Sequence, residues 1–205
     1  MKRVLLICLS LVLALVGGSA ACAEDGFYVI PTMKGKYAPV PKTGQTDSYD
    51  VAGSDGDLEK GVAWPTPRFT DNSNGTVTDN LTALTWMKNA NYFDLVPFSA
   101  ALYYANTLAS GIAGLTDGSK AGDWRLPNVR ELESLLDYGR YAPALPMSHP
   151  FANMGTGGTY WSSTAASATD RSKSPTWAIR FRDGFAAAFS TMSPSINRVL
   201  CVRGP

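Results

Sequence analysis

Four oxygen-bearing side chains, Asp71, Asn72, Asn74 and Asp79, surround one Gly-centred turn at Asn74-Gly75. Hard oxygen ligands of this kind suit calcium, the one metal these residues suggest. Their spacing is not that of an EF-hand loop, because Thr70 would occupy its first position. Asn and Asp also form tight turns with no metal at all. A second constellation is Arg180 and Arg182, followed by Asp183. Two guanidinium forks two positions apart match the geometry of sulfate or carboxylate groups, and the competing reading is a pair of solvated strand arginines. Trp64, Trp86, Trp124, Trp161 and Trp177 offer flat faces to sugars, yet each lies in or beside a strand and suits the core better.

Catalytic constellations are poorly supported, and the chain reads as non-enzymatic. His149 is the single histidine, set between Ser148 and Pro150, and there is no Gly-x-Ser-x-Gly elbow. One histidine with so few cysteines is a poor zinc set. Cys201 sits in the apolar run Val199-Leu200-Cys201-Val202 and reads as a small core residue rather than a nucleophile.

The elements that must carry these residues follow from periodicity. Arg68 to Asp79 reads as a β-hairpin, with Asn74-Gly75 supplying the positive φ of a tight turn. Leu84 to Met87 is the next strand. Pro97 to Leu108 forms a first helix, with Ala101, Leu102, Ala105 and Leu108 at helical spacing. Asn128 caps a second helix over 129–138, and Glu131 completes a capping box. Leu132, Leu135 and Leu136 are its buried stripe. Thr159 to Ser163 is a strand. Trp177 to Arg182 alternates so that Trp177, Ile179 and Phe181 face the core and both arginines face out. Asp183-Gly184 turns the chain, Phe185 to Phe189 returns, and Val199 to Arg203 closes the sheet.

The chain has 205 residues, 45% of them hydrophobic, enough for one domain with a real core. Lys2 and Arg3, the apolar run 4–16 and the small residues 17–21 have the form of an export leader. Ala21-Cys22-Ala23 fits cleavage before Glu24; Ser19-Ala20-Ala21-Cys22 also fits a loose lipobox, in which Cys22 would be acylated. The expected product is periplasmic, outer-membrane-associated or extracellular. No later stretch is long enough to cross a bilayer. Without Lys2 and Arg3 the chain has 16 basic against 17 acidic residues, so it has no global attraction for nucleic acid. Anion binding must come from a local patch. Residues 24–61, rich in Gly, Pro, Asp, Ser and Thr, read as a loop-rich arm in which 27–30 could add a strand; 62–205 read as the domain.

Three blocks in order have a family look: Arg68 to Trp86 around Asn74-Gly75-Thr76-Val77-Thr78-Asp79; Asp123-Trp124-Arg125-Leu126-Pro127-Asn128 with Glu131-Leu132; and Tyr160-Trp161-Ser162-Ser163 with 177–184 and 199–203. Together they resemble the Lcl C-terminal-like domain over roughly residues 40–204. The resemblance implies an α+β, C-type-lectin-like fold, with two helices packed on short antiparallel sheets and long loops. The block entering the second helix also looks like the formylglycine-generating enzyme superfamily, whose oxidation needs reactive cysteines. The founding member of the Lcl family is a bacterial surface adhesin whose domain binds sulfated glycosaminoglycans. This chain has no collagen-like Gly-X-Y stalk. The expected function is an exported binding or adhesion module for polysaccharide or another envelope polymer. The alternative is a structural or accessory envelope subunit with no small ligand, and an enzyme of the formylglycine-generating kind stands third.

Overall fold

The short hairpin at Asn74-Gly75 begins the observed architecture. In the computed structural model, which describes residues 40–49, 52–167, 175–191 and 196–204, β1 (Phe69–Asp71) pairs antiparallel with β2 (Thr76–Asp79), Thr70 opposite Thr78. Gly75 has φ +82°, and a Cβ there would lie 2.3 Å from the Gly114 carbonyl oxygen, so glycine is required twice over. β3 (Thr85–Met87) pairs with β2. The export leader, Cys22 and the 27–30 segment lie outside the described residues.

Two helices follow the expected periodicity. α2 (Phe98–Thr107) starts after Pro97 and buries Ala101 and Ala105, with Leu108 just beyond its end. Leu102, expected on the buried stripe, is 43% exposed; the small alanines set the contact face and Leu102 turns to solvent. α3 (Val129–Ser134) is capped as its sequence requires: the Glu131 N–H donates to Asn128 Oδ1 at 2.9 Å, and the Asn128 N–H donates to Glu131 Oε2 at 2.7 Å. Arg125 clamps the same carboxylate with two bonds of 2.7 and 2.8 Å. The helix stops at Ser134 rather than Tyr138. The Asp137 N–H donates to Ala144 O and the Tyr138 N–H to Thr43 O, so tertiary acceptors replace the i−4 carbonyls.

The second sheet orders β4 (Tyr160–Ala165), β5 (Thr176–Arg180) and β6 (Phe185–Phe189), all antiparallel. β7 (Val202–Arg203) does not close this sheet, as the sequence suggested. It pairs with β3 and completes the first sheet in the order β1-β2-β3-β7. An earlier four-residue helix, α1 (Asp55–Leu58), lies in the expected arm, and Pro41 bridges to Val62. Residues 40–61 belong to the compact unit Pro39–Pro205.

The sheets contribute to two cores, while the edge strands β1 and β6 keep exposed residues. One core holds Phe69, Val77, Trp86, Leu132, Leu135, Ile179, Phe181, Leu200 and Val202. The other holds Met87, Ala101, Ala105, Leu108, Trp124, Trp161, Ala178, Val199 and Cys201. Neighbouring residues in the strands alternate between the two cores, as the period of two demands: Trp86 then Met87, Ala178 then Ile179; Leu200 and Cys201, in the extended chain just before β7, do the same. The first core takes α3 and the second takes α2. Trp124 and Trp161 are fully buried with their indole N–H groups bonded to Ser119 Oγ and Val96 O, both at 2.9 Å. Trp177 was expected on the core face with Ile179. It is half-buried, because the core on that face ends at Ile179.

Candidate functional site

β5 delivers Arg180, and a four-residue turn carries Phe181, Arg182, Asp183 and Gly184 to β6. The Gly184 N–H donates to Arg180 O at 3.0 Å. Gly184 has φ +75°, and a Cβ there would meet the Tyr138 ring at 2.9 Å, so glycine lets the turn lie flat on that tyrosine.

The two arginines are not equivalent. Arg180 Nε and Nη2 donate to the two oxygens of Asp183 at 2.8 and 2.6 Å, and the guanidinium lies over the Phe185 ring, 4.9 Å from its centre. Its hydrogen bonds to Asp183 hold the guanidinium above its usual range and that carboxyl below its own. Asp183 also accepts the Phe185 N–H at 3.2 Å. Arg182 has no ion pair among the described residues. Its Nε donates to the hydroxyl of Tyr141, and its guanidinium lies 5.2 Å from the centre of that ring.

The segment Asp137-Tyr138-Gly139-Arg140-Tyr141 supplies the rest of the surface. The Ala142 and Ala144 N–H groups donate to Arg182 O and Phe181 O, at 2.8 and 2.6 Å, and fix this loop against the turn. Tyr138, Tyr141 and Phe185 are 48%, 62% and 50% exposed. Arg140 is exposed and has no ion pair among the described residues. Next to it a cleft of about 510 Å³ is lined by Gln45, Trp64, Asp137 and Arg140 among others. Burial raises the Asp137 carboxyl, with the Gly139 N–H and Arg140 opposing. The arrangement presents one guanidinium without an ion pair among the described residues, pinned on an aromatic face, a further exposed arginine next to Tyr141 in the chain, and two further exposed rings. Such a surface suits an anionic group joined to an apolar ring face.

The sequence singled out Arg180, Arg182 and Asp183, and the fold brings all three together. It missed Tyr138, Arg140, Tyr141 and Phe185. The signal present was two tyrosines and an arginine around a glycine outside any apolar period, a composition common in recognition loops.

The four candidate calcium ligands do not converge. Asp71 pairs with Lys88 Nζ at 2.6 Å and accepts the Ser73 N–H; the Lys88 hydrogen bond holds its carboxyl low. Asn72 donates to Thr76 and Thr78, and Asn74 accepts from Thr76. Asp79 lies at the other end of the ladder, fully buried, bonded to Arg68, Thr82 and the Leu81 N–H. Each side chain already has the turn or strand partner that its type favours.

Cys201 is fully buried in the second core, and burial pushes its thiol far up. His149 packs beside Phe151, and burial lowers its titration. With the geometry in place, the Lcl C-terminal domain family model matches residues 75–203. The chain belongs to this family. The matched span of this Lcl C-terminal domain opens at the Gly75 turn and ends in β7. It therefore contains α2, the capped α3, both strands of the second hairpin and the whole Arg182 surface. Among curated proteins there is no significant match to the chain.

Proposed function

We propose that this Lcl C-terminal domain is an exported, non-enzymatic module that binds an extended acidic polysaccharide or similar envelope polymer through the β5–β6 turn. The observation that carries the reading is Arg182: exposed, without a carboxylate partner among the described residues, and seated over the exposed Tyr141 ring. Arg140 adds another cation with no ion pair among the described residues, while Asp183 neutralises Arg180. The chain's formal net charge is only +1, too little to gather anions over the whole surface, so a local cluster of this kind must supply the attraction. The non-enzymatic part of the reading is supported by Cys201, whose sealed thiol provides no thiolate at neutral pH.

The test is calorimetric binding of heparin fragments, alginate oligomers and dextran to the intact protein at low and high salt. Acidic ligands should bind, weaken as salt rises, and lose about tenfold in affinity in Arg182→Ala. Arg180→Ala should matter less. Absent binding, or full binding by the Arg182→Ala/Arg140→Ala variant, overturns the reading and favours an accessory envelope subunit.

A further inference from the structure

A second surface, on the α2 side of the molecule, has a different chemistry. Tyr92 and Phe93 in the loop before α2, Tyr103, Tyr104 and Thr107 on the helix, and Ile112 after it line a groove of about 550 Å³. That size lies within the ~300–1,000 Å³ of small-molecule sites. No charged residue lines it. The rings are arranged rather than scattered: Phe93 stacks on Tyr104 at 4.8 Å with planes 5° apart, and Tyr92 and Tyr103 stand edge-on to this pair. Tyr92, in the loop, and Tyr103, on the helix, are 50% and 65% exposed, and the helix buries its other face through Ala101 and Ala105. The hydroxyls of Tyr92, Tyr103 and Tyr104 have no hydrogen-bond partner among the described residues.

We infer that this groove is a binding site for a neutral sugar unit, a pyranose ring of an uncharged oligosaccharide. Three features select that class. The electron-rich aromatic faces attract the slightly positive C–H bonds on one side of a pyranose. The free phenol hydroxyls both donate and accept, which matches the alcohol groups at the ring's rim. The lack of any lining charge leaves nothing to hold a sulfate, carboxylate or ammonium, in contrast to the Arg182 surface. A purely apolar ligand would leave the exposed hydroxyls unused. The assignment does not depend on the Arg182 reading, because the groove shares no residue with that surface.

The measurement is saturation-transfer NMR and calorimetry with cellotriose and with chitotriose in its N-acetylated form, on the intact protein. Saturation transfer to ring C–H protons is expected, with affinity insensitive to salt. Tyr103→Ala should weaken binding about tenfold, and Tyr103→Phe should retain most of it. Arg182→Ala should leave it unchanged, so this site and the acidic-polymer site fail separately. Tyr103 is surface-exposed, so the variants should keep the wild-type melting temperature; Tyr92→Ala repeats the test from the loop side. No transfer with either trisaccharide, or unchanged affinity in both alanine variants, overturns the inference. So does self-association in sedimentation experiments that Tyr103→Ala abolishes, which would give the groove to a second copy of the chain.

Discussion

Two arginine–aspartate pairs sit at the two hairpins and do opposite things. At the first, Arg68 Nη2 reaches Asp79 Oδ2 at 3.1 Å with both side chains buried, and the guanidinium lies over the Trp64 and Phe69 rings. Burial lowers its titration, and the Asp79 charge opposes that. At the second, Arg180 and Asp183 make a shorter, two-pronged pair in the open. The better geometry belongs to the pair with less effect on folding. In water the Coulomb gain is screened, whereas an unpaired charge in a core has no solvent to replace its partner. The buried pair is architecture joining β2, α3 and the Trp64 segment before β1; the exposed pair adjusts which arginine a ligand meets.

Removing Asp79 is the strongest way to break that contrast. Asp79→Asn should lower stability by about 3–5 kcal/mol, because Arg68 is left charged in a dry site. Urea unfolding reads this directly. A loss no larger than that of Asp183→Asn would erase the distinction between the two hairpins.

The Asn128–Glu131 box lies between these extremes. Asn128→Ala should cost about 1 kcal/mol. Partial burial pushes the Glu131 carboxyl up, but hydrogen bonds from Arg125 and the Asn128 N–H outweigh it and leave the group below its ordinary 4.5. The folded form therefore holds its proton less tightly than the unfolded chain does. The contribution is complete above pH 4.5 and fades as pH falls through the folded value. Melting curves should show that Glu131→Gln removes this part of the acid sensitivity.

Asp183→Asn should leave the melting temperature within error and strengthen binding of heparin fragments, since Arg180 then joins Arg182 as a free cation. Weaker binding would mean that Asp183 holds the turn in its binding shape. The smallest expected effect is that of calcium. With Asp71 and Asp79 engaged by Lys88 and Arg68, millimolar calcium or a chelator should leave thermal stability unchanged; a clear rise in melting temperature with calcium would show that these turn contacts yield to a metal.

Local signals were legible where the physics is local. The Asn74-Gly75 hairpin, the capping box and the outward direction of Arg182 each depend on residues a few positions apart, and each could be read from types and spacing. The end of α3 could not, because Thr43 and Ala144 take the backbone donors that would have continued it. Leu102 and Trp177 were misplaced for a related reason: periodicity names a face, and only the facing element decides whether that face is covered.

The sequence by itself determined the family blocks, the α+β class, the two helices and a turn bearing two arginines. The fold alone decided that β7 joins the first sheet, that Arg180 is neutralised while Arg182 has no ion pair among the described residues, and that Tyr141 lies under a guanidinium 41 positions away. The same holds for the tyrosines of α2, whose groove exists only because Tyr92 and Phe93 fold back onto the helix. Chain order specifies which side chains exist and how they alternate; contact between distant segments depends on packing across sheets and loops, which no local period encodes.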